Sequence, residues 1–334
     1  MSRKPEKPAP SPGERIAKVM ARAGLCSRRD AEIWIAAGRV SVNGQLLASP
    51  AFNVKPGDAV EVDGKPLPTR ERTRLFRYHK PRGLMTTDRD PQGRPTLFQR
   101  LPKGLPRLVS VGRLDMTSEG LLLLTNDGGL KRALELPETG WLRRYRVRAN
   151  GRATQDDLDR LKKGVTVEGI SYGPVDAKLD RVQGANLWLT VSMREGKNRE
   201  IRKVLGSLRL TVNRLIRVSY GPFQLLELEA GEIEEVNTRT LRDQVSEKIA
   251  RAAGVDFDAP LREAAAPPEL IKVRESARPG KRPSNREPVP APVRTRPEPA
   301  PRAPARERVR GQRGRSPSGR GGGPRGSHHG TKKK

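Results

Sequence analysis

The 334-residue sequence has very few side chains that bind metals or carry redox chemistry, because it contains one cysteine and three histidines. The single cysteine, Cys26, excludes an intramolecular disulfide framework and a multi-cysteine zinc site. The histidines, His79, His328 and His329, are too few for a convincing metal centre. We therefore expect neither a metal nor a cofactor.

Long apolar runs are also missing. A stretch such as residues 33–37 is far below the roughly 18 residues that span a membrane. The N-terminus is polar and contains several prolines, unlike a secretory signal. The sequence thus predicts a soluble, cytoplasmic protein that does not bind membranes.

Acidic side chains are outnumbered by basic ones, 38 to 67, which gives a formal net charge of +29. The basic excess is spread along the chain and not confined to one amphipathic helix. Such a charge attracts polyanions, and nucleic acid is the favoured partner. Charge alone fits an enzyme or a structural ribosome-associated protein equally well.

Composition divides the chain into four parts. Residues 1–13 carry four prolines without apolar periodicity and predict a disordered leader. We expect a small domain over 14–70 and a larger one over 71–255. Residues 259–334 hold 20 Lys/Arg and 6 Glu, a net +14, with no aromatic residue. They predict a disordered basic tail that adds RNA affinity or serves only as a solubilising spacer.

The small domain shows two helices followed by hairpins. Ser27 is a candidate N-cap for the second helix, and Ile33, Trp34 and Val40 are expected to face inward. Asn43-Gly44 and Asp63-Gly64 are strong hairpin turns. The run SRRDAE at 27–32 and GRVSVNG at 38–44 resembles the S4 RNA-binding domain. Basic side chains on or beside its helices are candidate phosphate contacts, namely Lys18, Arg22, Arg28, Arg29 and Arg39.

The larger domain has more strand-like than helix-like segments and no regular βαβ alternation, which predicts an α+β fold with a mostly antiparallel sheet. Expected strands cover 75–79, 121–125, 144–149, 187–193 and 212–218. Expected helices cover 129–136, 156–163 and 199–205.

The most informative segment is residues 111–120, VGRLDMTSEG, which runs into the apolar residues 121–124. It places Asp115 in a glycine-bearing loop just before a buried strand. Such a loop can present a nucleophile or an acid/base group, although a lone loop aspartate more often caps a turn or pairs with a neighbour such as Arg113.

Three further segments have residue patterns that suggest a function. HKPRG at 79–83 ends a strand with basic side chains, including Lys80 and Arg82, within reach of phosphate. RRYRV at 143–147 alternates, with Arg144 and Arg146 on one face and Tyr145 on the other. MREGKNREIRKVL at 193–205 is a turn that enters a basic helix.

Together these boxes resemble the family of ribosomal RNA pseudouridine synthases, and most closely its type B enzymes of the large ribosomal subunit. The resemblance covers about residues 14–252 and includes the RLIRV and GPF segments at 214–218 and 221–223. It implies that a uridine of ribosomal RNA is isomerised to pseudouridine without a cofactor. The sequence of the segment at 193–205 and the basic tail favour 23S over 16S rRNA as the substrate. Free rRNA and an assembling ribosomal particle both remain open as the substrate, and we expect a monomer.

The resemblance also implies roles for individual residues. Asp115 matches the essential aspartate, which either adds to the uracil ring or removes a sugar proton. Arg202 matches the cation that keeps this carboxylate charged, and we prefer it to Arg113 as the partner. Tyr145 matches the tyrosine that stacks on the flipped base, and Leu215 an apolar residue packing against it. Basic residues at the site are expected to bind RNA, namely Lys80, Arg82, Arg113, Lys197 and Arg199.

Other classes of function remain open at this stage. A non-catalytic ribosome-assembly factor would use the same RNA-binding parts without needing Asp115. A glycosidase would pair Asp115 with Glu119, but the low aromatic content and the positive charge weigh against sugar binding. An aspartyl-phosphate enzyme lacks a second acid two residues after Asp115 and a cluster of magnesium ligands.

Overall fold

The computed structural model describes residues 13–261, so the predicted leader and tail lie almost wholly outside the described residues. The described part begins with a small domain of two helices and short strands. Its elements are β1 (Glu14–Arg15), α1 (Ile16–Arg22), α2 (Arg28–Ala36), β2 (Val40–Val42), β3 (Gln45–Leu46), β4 (Asn53–Val54), β5 (Val60–Val62) and β6 (Lys65–Pro66). An antiparallel sheet runs β3-β2-β5-β6, and β1 pairs with β4. Both predicted helices and both predicted hairpins are confirmed.

Local sequence explains the second helix. The Ser27 hydroxyl accepts a hydrogen bond from the Asp30 amide at 3.0 Å, and the Asp30 carboxylate accepts one from the Ser27 amide at 3.3 Å. This capping box satisfies amides that have no partner inside the helix. The prediction that Ile33 faces inward is wrong, because its side chain is 62% exposed. Ala31 and Ile35, one turn apart, form the buried face, and Ile33 lies on the opposite side of the helix.

The second domain contains the remaining strands and helices. Its strands are β7 (Leu75–Lys80), β8 (Val109–Val111), β9 (Glu119–Thr125), β10 (Arg143–Asn150), β11 (Val165–Val167), β12 (Ile170–Tyr172), β13 (Val175–Gln183), β14 (Asn186–Met193), β15 (Thr211–Tyr220), β16 (Phe223–Gln224) and β17 (Ile233–Glu235). Its α-helices are α3 (Gly128–Glu135), α4 (Gln155–Asp159), α5 (Glu200–Ser207), α6 (Thr238–Gln244) and α7 (Glu247–Ala253). Short 3-10 turns cover Phe98–Arg100, Pro137–Thr139 and Arg160–Lys163.

A nine-stranded sheet organises this domain in the order β13-β14-β10-β15-β9-β7-β17, with β8 on β9 and β16 on β15. Every pairing in it is antiparallel except that of β15 with β9. The predicted α+β fold with a mostly antiparallel sheet is confirmed. At the parallel junction, a Cβ on Gly120 would lie 2.3 Å from the Arg217 carbonyl oxygen, so only glycine allows this approach.

Apolar clusters cover both faces of the sheet. Along β9, Leu122 and Leu124 belong to one cluster, whereas Leu121 and Leu123 belong to the other. All four leucines are fully buried, which explains why this strand appears in the sequence as a continuous apolar run. The buried strand is a rigid base for the loop that precedes it.

Contacts at the start of α3 join the small domain to the large one. Asp127, the N-cap of α3, accepts hydrogen bonds from Arg70 at 2.7 Å and from Thr73 at 2.8 Å. Arg22 of α1 donates to the Ala253 carbonyl at the end of α7, at 2.9 Å. The two domains therefore meet around one buried carboxylate.

Candidate active site

The loop between β8 and β9 carries Asp115 and is fixed on several sides. The Thr86 hydroxyl donates to the Leu114 carbonyl at 2.7 Å, and the Gly83 amide donates to the Met116 carbonyl at 2.8 Å. The Ser118 amide closes a turn on the Asp115 carbonyl at 3.0 Å. Because the backbone on both sides of Asp115 is held, its carboxylate has a defined position.

Lys80 also fixes this loop, from inside the protein. Its side chain is fully buried, and its ammonium donates to the carbonyls of Pro81, Asp115 and Ser118 at 3.0, 3.2 and 3.0 Å. Burial lowers the pKa of Lys80 to about 8, opposed by the nearby charges of Asp115 and Glu119. The prediction that Lys80 contacts RNA phosphate is wrong, since the alternation along β7 turns it inward.

Asp115 lines a cavity of about 650 Å³, within the size range of small-molecule and nucleotide sites. Tyr145 and Leu215 form part of its wall, and both side chains are at least nine-tenths buried. They come from the adjacent strands β10 and β15, in which Val147 is paired with Leu215 and Tyr145 with Arg217. The structure thus brings the predicted aspartate, tyrosine and leucine to one cavity.

The cation that contacts Asp115 is Arg199, whose guanidinium lies 3.4 Å from the carboxylate. Arg199 is the N-cap of α5 and has a left-handed backbone, with φ of 51°. Arg202 instead donates to the Val212 carbonyl at 2.8 Å and to the Thr117 hydroxyl at 3.2 Å. The predicted direct pair between Asp115 and Arg202 is therefore corrected, because Arg202, one turn further along α5, reaches the backbone of β15.

Arg202 still acts electrostatically on the aspartate. Burial and the charges of Arg199 and Arg82 lower its pKa, whereas the charge of Asp115 raises it. Arg199 at the start of α5 and Arg202 within it thus both interact with the charge of Asp115, one by contact and one from beside Thr117.

Glu200 is a buried carboxyl in the wall of the same cavity. One oxygen accepts the Lys197 amide at 2.7 Å, and within residues 13–261 its other oxygen has no hydrogen-bond partner. Burial raises the pKa of Glu200 to about 7. This side chain pins the turn that presents Arg199 to the cavity.

The predicted RNA-binding residues fall into two groups. Most of them are exposed, namely Arg28, Arg29, Arg39, Arg82, Arg113, Lys197 and Arg199. Arg39 is also held by Asp63, and Lys18 is half-buried beside Glu14. Arg22 bonds Glu14 at 2.7 Å and the Ala253 carbonyl, so its predicted phosphate contact is corrected to a domain contact.

Sequence reasoning assigned no role to several residues that line the cavity. Arg217 is buried, donates to the Leu121 carbonyl at 2.7 Å and lies against the Tyr220 ring. Arg143 donates to the Tyr220 hydroxyl at 3.1 Å. The alternation of β15 from Leu215 onward could have indicated Arg217, since residues two apart face the same side. Nothing local in the sequence indicates Lys131, which reaches the cavity from α3.

The geometry argues against the glycosidase alternative. Glu119 is buried at the start of β9, and its carboxylate accepts from the Arg214 guanidinium at 2.7 Å. It is not among the cavity residues, so it does not form a carboxyl pair with Asp115 across a bound substrate. Among the described residues no cluster of three or more potential metal ligands occurs, and no helix could span a bilayer.

Comparisons with known proteins match the two domains to two different families. Residues 14–60 match the S4 domain, and residues 74–207 match the family described as RNA pseudouridylate synthase. An uncharacterized RNA pseudouridine synthase of Rickettsia conorii is 45% identical over 69% of this chain and 99% of its own length. The ribosomal large subunit pseudouridine synthase B of Pseudomonas aeruginosa is 40% identical over 83% of this chain and 70% of its own.

A solved structure gives the same result. A crystal structure of a pseudouridylate synthase matches with a TM-score of 0.50 and 25% identity, over 70% of this chain and all of that one. The family resemblance expected from the boxes is thus confirmed by sequence and by fold. The chain belongs to the RNA pseudouridine synthase family, as an enzyme with an N-terminal S4 domain.

Proposed function

We propose that the protein isomerises a uridine of 23S ribosomal RNA to pseudouridine, with Asp115 as the essential catalytic group. The observation that carries the proposal is the convergence of Asp115, Tyr145 and Leu215 on one cavity beside cationic α5. The pseudouridine synthase B of Pseudomonas aeruginosa, named for the large ribosomal subunit, supports 23S as the substrate, because this chain matches most of that protein. We propose further that the enzyme acts as a cytoplasmic monomer.

The reaction requires the target nucleotide to leave its stack and enter the cavity, at a cost of a few kcal/mol. Stacking of a base on an aromatic ring contributes about 1–3 kcal/mol. Tyr145 supplies the ring, and Leu215 packs against the base. Arg82, Arg113 and Arg199 are exposed and are the residues that we propose bind the neighbouring phosphates.

The reaction is an isomerisation, so the substrate and the product contain the same atoms. The bond between C1′ and N1 breaks, the uracil turns, and C1′ bonds to C5. The proton on C5 leaves, and N1 ends protonated. Asp115, which lies near the positive charges of Arg199 and Arg202, either adds to the uracil or removes the C2′ proton to give a glycal. Tyr145, which lines the same cavity, is proposed to assist removal of the C5 proton.

The test maps pseudouridines in 23S and 16S rRNA from cells that lack the gene. Rescue uses the wild-type chain, Asp115→Asn and, as a control, Asp176→Asn, which changes an exposed aspartate on β13. We expect one 23S site to disappear and to return with the wild type and the control only. Rescue by Asp115→Asn would refute its catalytic role, and a lost 16S site would refute the 23S assignment. If no site changes, the assembly-factor alternative is the better account.

The two arginines can be separated by measuring the rate of pseudouridine formation with purified enzyme and saturating RNA. Arg199→Met removes the contact with Asp115, whereas Arg202→Met removes the support of Thr117 and the second positive charge. We expect both variants to reduce the rate at saturating RNA. If Arg202→Met reacts at the wild-type rate, the family role carried over to Arg202 does not apply to this chain.

A further inference from the structure

A second concave surface lies between the small domain and the sheet domain. This cleft has a volume of about 370 Å³ and is bordered by α1, α2, β8 and α3. Its lining contains six basic side chains and one acidic side chain, Asp88. Ala21 and Val109 are its apolar contributions besides glycine, which leaves little surface for an apolar ligand or a hydrophobic peptide anchor.

Some of the basic side chains in the cleft are already used. Lys18 pairs with Glu14, Arg107 donates to Asp88 at 3.1 Å, and Arg22 joins the domains. Arg28 and Arg132 differ, because both are exposed and neither forms a side-chain hydrogen bond or ion pair within residues 13–261. Two unpaired guanidinium groups from different domains therefore face the same cleft.

Lys131 connects this cleft with the catalytic cavity. Its side chain lines both spaces, so the cavity and the cleft adjoin at α3. Lys131 pairs with Glu135 one turn later on the helix, and that carboxylate accepts the Gly112 amide at 2.5 Å. A chain leaving the cavity at Lys131 thus meets a basic surface immediately.

We propose that the cleft binds the backbone of the RNA strand that flanks the target uridine, with Arg28 and Arg132 as phosphate contacts and Lys131 at the entrance. The inference rests on the proposed function, since it assumes that a nucleotide occupies the cavity. RNA fits better than an acidic protein because the cleft joins a nucleotide-sized cavity and lacks apolar anchors. Both domains then hold one strand, and the small domain reads its position relative to Asp115.

The experiment measures binding of a substrate RNA fragment at several salt concentrations. The double variant Arg28→Met/Arg132→Met is compared with Arg160→Met/Arg181→Met, a control that removes two exposed arginines lining neither space. Each lost phosphate contact lowers the slope of log K against log salt by about 0.7 to 1. We expect the cleft variant to lose about 1.4 to 2 in slope and the control to change much less. Equal slopes for the two variants would refute the proposal.

A shorter RNA that ends at the target nucleotide completes the test. Removal of the flank is expected to weaken wild-type binding and to have little further effect on the cleft variant. A wild-type protein that binds the RNA but does not isomerise it would refute the proposed function and leave the binding comparison intact. A flank effect of the same size in the cleft variant would refute the cleft proposal alone.

Discussion

Replacement of Lys80 tests whether the buried ammonium organises the loop that carries Asp115, the proposed catalytic residue. Lys80→Met keeps the length and most of the volume of the side chain but removes the donors to the carbonyls of Pro81, Asp115 and Ser118. Hydrogen bonds from a charged group contribute about 1.5–3 kcal/mol each, or about 5–9 kcal/mol for three. The fall of the Lys80 pKa from 10.5 to about 8 corresponds to about 3 kcal/mol that the variant regains.

The difference between these two contributions predicts a loss of about 2–6 kcal/mol in the free energy of unfolding. We therefore expect the variant to be less stable than the wild type but still to fold. We expect the larger effect on catalysis, because the carbonyls of Asp115 itself and of Ser118 lose their common donor. A displacement of about 1 Å at a reacting group can reduce a rate about 100-fold. We expect a decrease of this order in kcat.

The assay is single-turnover pseudouridine formation with enzyme in excess, at a temperature where denaturation shows the variant to be folded. Arg82→Met is the matched control, because it removes a positive charge two residues away that is exposed. The control should weaken RNA binding and leave the saturated rate nearly unchanged. A folded Lys80→Met that keeps the wild-type rate would refute the role of this lysine.

The wild-type enzyme offers a second readout of Lys80. In the folded state the ammonium loses its proton as pH rises through about 8, and a neutral amine cannot donate to three carbonyls. We expect kcat to decrease above about pH 8 for this reason. The free energy of unfolding changes in the opposite direction to kcat. Between about pH 8 and 10.5 Lys80 is protonated in the unfolded chain but not in the folded protein, so the contribution of this group to stability increases as pH rises.

Three further predictions concern packing and titration. A Cβ on Gly129 would lie 2.1 Å from the Ala253 carbonyl oxygen, whereas one on Gly128 meets nothing within 4 Å, so in urea Gly129→Ala should be destabilised by about 1–3 kcal/mol and Gly128→Ala should not. Because burial raises the pKa of Glu200 to about 7, the stabilising contribution of this group is fully present below pH 4.5 and is lost as pH rises through 7. Between pH 5 and 8 the stability of Glu200→Gln should therefore rise by about 2 kcal/mol relative to the wild type. Burial raises the pKa of Cys26 to about 11, so alkylation should occur only on opening of the small domain, and rapid labelling of the native protein would contradict its burial.

Strong local signals made much of the fold predictable. The capping residue Ser27, the Asn43-Gly44 turn and the apolar run of β9 each determine structure through short-range physics. The strand β13 escaped prediction because its outer half, from Leu179 onward, is mostly exposed and polar. The helices α6 and α7 are only seven residues each, and their apolar pattern is correspondingly short.

The site residues were predictable where the residue type itself indicates the chemistry. They were less predictable where tertiary contacts determine the position of the side chain. Tyr145 and Leu215 face the cavity because strand alternation is regular. The partner of Asp115 depends on where α5 begins, and the left-handed backbone of Arg199 could not be foreseen from the sequence. The inward position of Lys80 is likewise tertiary, because its three carbonyl partners include residues 35 and 38 positions away.

Helix α3 links the cavity and the cleft to the Asp115 loop. At its beginning Asp127 holds Arg70 and Thr73, and next to it Gly129 leaves room for Arg22 and the end of α7. At its other end Glu135 accepts the Gly112 amide, three residues before Asp115. Because one short helix contacts the domain boundary and the loop, the proposed position of the RNA strand in the cleft and the position of the Asp115 carboxylate depend on the same element. If the proposed RNA contacts hold, the position of this helix therefore couples the flanking strand in the cleft to the Asp115 loop.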